Sequence, residues 1–176
     1  MFNDKFGLTQ AVLDGRKTMT RRICKDQQWS KSDLLAFNYD RLTLMTPPNY
    51  LIGEVVAIAQ CYYNVYGYET CISERGEKDS GIFNKMFVRA ESMPHHIKIT
   101  NIRVEHLQDI SEEDCLREGI EQFSYTFGIT KYARKPILTL FGSPREAFAA
   151  LIDKVSGKGT WESNPLVWVY EFELVD

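Results

Sequence analysis

The chain has 176 residues, of which 44% are hydrophobic, 26% charged and 12% aromatic, a composition typical of a globular domain. The sequence has no run of about 18 apolar residues that could cross a membrane, and its first residues lack a secretory pattern, so we expect a cytoplasmic protein. The net charge of −3 argues against extended phosphate contacts and favours a small or single-nucleotide ligand over a long duplex.

The N-terminal part of the sequence predicts a short helix over residues 6–14 and a strand over residues 18–23. Gly15 can adopt the left-handed backbone conformation that commonly ends a helix. Because side chains alternate along a strand, one face of the predicted strand carries Thr18, Thr20 and Arg22, and the other carries Met19 and Arg21.

Further strands are predicted over residues 53–59, 87–90, 97–107 and 166–174, with a β-bulge in the third of them. Two helix starts have a capping-box pattern, at Ser111 and at Ser143, and the glycines Gly119 and Gly157 are expected to end these helices. Long loops are expected near residues 24–49, 63–85 and 121–142.

Several short strands with three short helices predict an α+β fold, in which a small β-barrel carries peripheral short helices. We expect residues 1–176 to form a single domain, since no repeat or low-complexity segment divides the sequence.

A basic segment, residues 15–25, lies in a chain that is acidic overall. Five cations occur there without an acidic residue between them: Arg16, Lys17, Arg21, Arg22 and Lys25. Concentrated positive charge repels itself unless an anionic partner is present, so the segment predicts a basic cleft for a ligand. The alternative is a basic turn whose cations pair with carboxylates from elsewhere in the fold.

Glu118 occupies an unfavourable position for a carboxylate, in the last turn of its helix immediately before Gly119. The helix macrodipole there favours cations and costs a carboxylate roughly 0.3–1 kcal/mol. Such a placement suggests a role as an acid or a base. The alternative is a surface glutamate that is tolerated because dipole effects are small where water screens them.

No metal site and no cofactor are expected. The four cysteines, Cys24, Cys61, Cys71 and Cys115, are far apart in the sequence and lack the paired spacing of zinc ligands, so free and mostly buried thiols are expected. The adjacent histidines His95 and His96 would face opposite sides of a strand, and His106 is isolated, so surface roles are favoured over metal binding.

Gly15, Lys17, Thr20 and Arg22 have the spacing of the ASCH-domain signature, Gly-x-Lys-x-x-Glu-x-Arg, in a family related to the PUA fold. Thr20 replaces the usual glutamate, and the same replacement occurs in the bacterial N4-acetylcytidine amidohydrolases, which this segment resembles. The chain is also similar to the longer ASCH proteins of phages and prophages in residues 10–18, 104–114 and 159–170.

The resemblance implies a PUA-like barrel and a catalytic set of Lys17, Thr20 and Glu118. In that mechanism Thr20 attacks an amide carbonyl, Lys17 takes the hydroxyl proton, and Glu118 handles the leaving amine. The residues implied to bind the ligand are Gly15, Arg16, Arg21 and Arg22. A lysine acts as a base only if its pKa is lowered, which the arginines near Lys17 would favour.

Three functions are consistent with the sequence. The first is hydrolysis of a small modified nucleoside, and the second is non-catalytic binding of a nucleotide or RNA in the same cleft. The third is a phage-related interaction protein that uses only the barrel surface. The sequence predicts neither the oligomeric state nor the substrate.

Overall fold

The computed structural model describes residues 2, 6–24, 48–67, 83–86, 88–124, 130–134 and 137–175. The helices within these ranges are α1 (Leu8–Leu13), α2 (Tyr62–Tyr66), α3 (Glu112–Arg117), α4 (Pro144–Ser156) and α5 (Thr160–Ser163). The strands are β1 (Met19–Ile23), β2 (Val55–Ala57), β3 (His96–His106), β4 (Glu121–Ser124), β5 (Thr130–Arg134), β6 (Ile137–Phe141) and β7 (Leu166–Leu174). The predicted α+β class is therefore confirmed for the described residues.

The main sheet is antiparallel and has the strand order β1-β7-β3-β2. It curls into a half-barrel. Strand β7 is central, and its first five residues, 166–170, are all buried because both faces of the sheet are covered. The register pairs Thr20 with Tyr170 and Arg21 with Val169. The predicted bulge in β3 is confirmed by a register shift between Ile99 and Asn101.

A second antiparallel sheet, in the order β4-β5-β6, occupies most of residues 121–142. The expected loop in this range is therefore wrong where these strands lie. The strand expected over residues 87–90 is also wrong for 88–90, which form no strand and lead into a 3₁₀ turn that begins at Ala90, while residue 87 lies outside the described residues. The loops expected near 24–49 and 63–85 lie largely outside the described residues, and the described start of the second contains part of helix α2.

The predicted helix signals have their expected local geometry. The Ser111 hydroxyl accepts a hydrogen bond from the Asp114 N–H at 3.1 Å, and the Ser143 hydroxyl accepts one from the Glu146 N–H at 3.2 Å. Both bonds satisfy backbone donors that the first helical turn leaves unpaired. Gly119 follows helix α3 with a φ of 99°, a conformation that strongly favours glycine.

One hydrophobic cluster fills the space around the main sheet. The central residues Val167 and Val169 of β7 are 1% and 0% exposed, and Phe148 of helix α4 is 2% exposed. Helix α1 contributes Val12 to the same cluster. This packing holds β1, α1 and α3 together around the candidate site. Among the described residues, the helices are too short or too polar to cross a bilayer.

Candidate functional site

Lys17 is buried at the junction of helix α1, strand β1 and the end of helix α3. Its backbone N–H donates to the Ala11 carbonyl at 2.8 Å, and its residue is only 2% exposed. The ammonium donates to three oxygens: the Met19 carbonyl at 2.7 Å, the Glu118 carbonyl at 2.9 Å and Glu118 Oε2 at 2.5 Å. Because an ammonium has three N–H donors, every proton of Lys17 is used.

Glu118 is buried, so the alternative of an exposed surface carboxylate is wrong. The residue is 4% exposed and caps the C-terminal end of helix α3. Its Oε2 accepts from Lys17, and its Oε1 accepts from Arg21 Nη1 at 3.1 Å. Two cations therefore stabilise a charge that burial and the helix end both disfavour.

Arg21 leaves strand β1 on the face of the sheet that helix α3 covers. Its guanidinium donates to Glu105 Oε1 through Nε at 2.9 Å and Nη2 at 2.6 Å, and to Asp114 Oδ2 at 3.0 Å, in addition to Glu118. Arg103 and Arg117 each form an ion pair with Glu171 as well as with Asp114. We call this group the ion cluster; it joins Lys17, Arg21, Arg103 and Arg117 to Glu105, Asp114, Glu118 and Glu171.

The cations of the basic segment are mostly neutralised by carboxylates from other parts of the fold. Arg16 pairs with Asp14 at 2.8 Å and with Glu121 at 2.9 Å. Arg21 is 4% exposed and is held by three carboxylates, which leaves it no direct access to a ligand. The alternative of cations paired with distant acids therefore describes Arg16, Lys17 and Arg21 better than an open basic cleft does. Lys25 lies outside the described residues.

The pKa of Lys17 is lowered, as the sequence predicts, but for a different main reason. Burial is the largest cause because it disfavours the charged ammonium. The carboxylate of Glu118 opposes this effect, and the positive charges of Arg22 and Arg21 lower the pKa further. Arg16, which was expected to contribute, faces Asp14 and Glu121 instead.

Thr20 faces the side of the sheet opposite to Arg21. Its hydroxyl makes no hydrogen bond with another residue in the described part of the chain, and it lines a cavity of about 30 Å³. Arg22, Tyr50 and Tyr170 line the same cavity. The two tyrosine rings meet edge to face at 5.5 Å, and the Tyr170 hydroxyl accepts from the Asn49 N–H at 2.8 Å. The apolar part of the lining comes from β2, β3 and β7 and includes Val56, Ile97, Ile99 and Phe172.

The structure brings Lys17 and Glu118 together but does not bond either to the Thr20 hydroxyl. Two contacts connect the pair to the cavity. Lys17 Nζ donates to the carbonyl of Met19, which belongs to the peptide group that leads into Thr20. The same Nζ lies 6.0 Å from the ring centroid of Phe2, which lines the cavity. The buried pair thus lies directly behind the cavity wall.

Gly15 has no direct contact role in this arrangement. Its φ of 71° needs a residue without a Cβ, and its N–H donates to the Val12 carbonyl at 2.9 Å. Gly15 therefore turns the chain from helix α1 toward β1 and sets the position of Lys17.

Sequence reasoning missed the carboxylates that hold Arg21. Arg103 and Glu105 flank the buried Val104 in β3, and Asp114 lies one turn before Glu118 on helix α3. Two charged residues beside a buried valine were the available signal, but their partners depend on the sheet register. Sequence reasoning also missed a second cavity, of about 180 Å³, which is lined by Thr9, Gln10, Gln60 and Asn64 together with Gly7 and Leu13.

The described cysteines have the structural role expected of them, and His95, His96 and His106 are each partly buried. Cys24, Cys61 and Cys115 are free and buried, which confirms that expectation for these three, while Cys71 lies outside the described residues. The His106 ring lies 3.2 Å from the Asn164 carbonyl through Nδ1. In the described ranges, no group of three or more His, Cys, Asp or Glu residues is arranged to hold a metal ion.

Comparisons with family models, with curated proteins and with solved structures give no match for this chain.

Proposed function

We propose that the chain is an ASCH-type domain with a PUA-like barrel that recognises a nucleoside, a nucleotide or an RNA base beside Thr20. One observation carries this proposal. The Thr20 hydroxyl has no hydrogen-bond partner among the described residues and faces a cavity that Arg22, Tyr50 and Tyr170 also line. Such a hydroxyl can donate to or accept from the polar edge of a base.

The lining offers the contacts that a nucleoside uses. Aromatic rings such as Tyr50 stack on bases, and a guanidinium such as that of Arg22 binds a carbonyl or phosphate oxygen. The cavity of about 30 Å³ has room for roughly one water molecule. We therefore expect an exocyclic group of the base to enter the cavity while the ring remains outside the apolar wall.

A thermal-shift screen against nucleosides and nucleotides tests the proposal, because a ligand that binds the folded state raises its apparent stability. The variant Thr20→Val removes the hydroxyl at nearly constant shape, and Thr100→Val, at an exposed position of β3, is the matched control. We expect a ligand to raise the Tm of the wild type and of T100V but not of T20V. A screen without any shift, or an equal shift in T20V, would contradict the proposal.

Hydrolysis of an N4-acylcytidine-type amide at the same site is a second candidate. The observation that favours it is the lowered pKa of Lys17, whose ammonium already bonds the peptide carbonyl before Thr20. Thr20 Oγ would form a bond to the acyl carbon as the bond from that carbon to the amine breaks, and water would then release the acid. Lys17 would take the hydroxyl proton, Glu118 would pass it across the Lys17–Glu118 hydrogen bond to the leaving amine, and the proton lost by the attacking water would return to Thr20 Oγ.

Release of acetate from N4-acetylcytidine tests this candidate. We expect Thr20→Ala to abolish turnover and Thr20→Ser to retain a measurable part of it, because serine keeps the attacking oxygen. If the wild type binds the nucleoside without releasing acetate, the chain is a binding module. Oligonucleotide binding that weakens steeply with salt would then identify RNA as the ligand.

A further inference from the structure

Arg21 and Lys17 share the carboxylate of Glu118 between them. Lys17 donates to Oε2 at 2.5 Å, and Arg21 donates to Oε1 at 3.1 Å. The carboxylate cannot rotate without losing a charged hydrogen bond at each oxygen. All three residues are at most 4% exposed, so water cannot replace either bond.

The guanidinium of Arg21 is itself fixed in place. Glu105 accepts from its Nε and Nη2, Asp114 accepts from its Nη2, and its Cζ lies 6.0 Å from the ring centroid of Phe148. A planar guanidinium that is held at several donors keeps both its position and its orientation. Arg21 therefore provides a rigid positive charge beside Glu118, with no access to a ligand.

We propose that Arg21 is a positioning residue that fixes the Glu118 carboxylate against Lys17, and that its own positive charge makes Lys17 release its proton more readily. The sequence-based assignment of Arg21 to ligand binding is replaced by this role. Any effect of Arg21 on a reaction rate rests on the proposed amide hydrolysis, whereas its effect on the protonation of Lys17 is a property of the folded chain alone.

The sign of the effect follows from the charges around the pair. The negative charges near Lys17 and Arg21 are carried by Glu118 and Asp114 of helix α3 and by Glu105 of β3. The other positive charges nearby are carried by Arg22 of β1 and Arg103 of β3. The positive charge of Arg21 disfavours a proton on Lys17. Without Arg21, carboxylates would outnumber cations around Lys17, and Lys17 would hold its proton to a higher pH.

The test is an NMR titration of the Lys17 side chain in protein labelled with ¹³C and ¹⁵N at lysine, with the signal assigned through Lys17→Arg. We expect Arg21→Met to move the titration midpoint upward by about one pH unit or more, and Arg21→Lys, which keeps the charge, to move it less. Arg103→Met is the matched control, because Arg103 also contacts Glu105 and Asp114 but not Glu118. A midpoint in R21M that equals that of the wild type, or of R103M, would overturn the proposal.

A second variant keeps the proposal testable if R21M does not fold. Glu105→Gln preserves the shape of the side chain but removes a negative charge that offsets Arg21. We therefore expect the Lys17 midpoint to move downward in E105Q, opposite to R21M, and no change or an upward move would overturn the proposal. If the chain hydrolyses an acylated nucleoside, its pH–rate profile should shift with the same sign in each variant. If it hydrolyses none, the titration still decides the role of Arg21.

Discussion

The Lys17 ammonium and the Glu118 carboxylate lie 2.5 Å apart, although 101 positions separate the two residues in the sequence. The ends of helices α1 and α3 must meet for this contact to form, and Gly119 lies where they meet. A Cβ at Gly119 would lie 3.5 Å from Ala11 Cβ and 3.6 Å from Lys17 Cβ. The pair therefore joins the N-terminal part of the chain to the helix that follows β3.

The first prediction concerns the stability that depends on this pair. In Lys17→Met, Glu118 would lose its closest cation while remaining buried, so we expect a loss of about 3–5 kcal/mol in the free energy of unfolding. In the double variant Lys17→Met/Glu118→Met no buried charge of the pair remains, and most of that loss should be recovered. Urea denaturation measures both.

Arg16→Met is the control for that comparison. Arg16 pairs with Asp14 and with Glu121, but its own side chain is 39% exposed, and a pair in which water screens the charge contributes about 0–1 kcal/mol. If the free energy of unfolding of K17M is no lower than that of R16M, the Lys17–Glu118 contact does not contribute to stability in the way that its burial implies.

Local signals in the sequence predicted the elements that carry the site, but not their long-range partners. Ser111, Gly119 and Ser143 act within one turn of their own helices, so the bounds of α3 and α4 could be read directly. The sequence predicts a loop where strands β4 to β6 lie, because the pairing of these strands, and not a clear alternation, defines them. The contacts of Arg21 with Glu105 and Asp114 depend on the register of β1 and β3 against β7, which no local pattern specifies.

The side of the sheet that each β1 side chain faces has the largest consequence for the candidate site. Alternation correctly placed Thr20 and Arg21 on opposite sides of the strand, since Thr20 lines the cavity and Arg21 contacts carboxylates outside the cavity lining. The sequence could not indicate which side the carboxylates occupy. Glu105 and Asp114 lie with Arg21, so these two carboxylates and the Thr20 hydroxyl are on different sides of the sheet.

The second prediction concerns stability in acid. Burial raises the pKa of Glu171, but hydrogen bonds and charges from Arg117 and Arg103 outweigh burial, so the pKa lies below its ordinary value of 4.5. A carboxylate with a lowered folded-state pKa stabilises the fold above its unfolded-state pKa, and this stability is lost as the pH falls through the folded-state pKa. We therefore expect the free energy of unfolding to fall below about pH 4.5, and to fall less steeply in Glu171→Gln.

Glu173→Gln is the control for the acid series, since Glu173 is an exposed residue on the same strand. Unfolding curves collected at intervals between about pH 3 and pH 6 give the slopes. Equal slopes in E171Q and the wild type would show that the contacts of Glu171 with Arg103 and Arg117 do not contribute to stability.

The third prediction concerns thiol reactivity. Burial raises the pKa of Cys24 to about 11 and that of Cys115 to about 12. Because the thiolate is the reactive form, roughly 0.1% or less of either residue would be reactive at pH 8. We expect iodoacetamide to modify Cys24 and Cys115 rapidly only after denaturation, as mass spectrometry of the labelled peptides would show. Modification in native protein at the rate of a free model thiol would argue against their burial.

The last prediction separates backbone strain from the positioning of Glu118. Gly119 has a φ of 99°, and a Cβ there would make only ordinary contacts at 3.5 Å and beyond, so Gly119→Ala should cost about 1–3 kcal/mol through backbone conformation. Gly53→Ala is the matched control, because Gly53 has a φ of 87° and open space around it. Strain in G119A can relax only by moving the chain that carries Glu118, which weakens its contacts with Lys17 and Arg21. Denaturant unfolding should therefore show a larger loss for G119A than for G53A, and equal losses would mean that Gly119 does not set the position of Glu118.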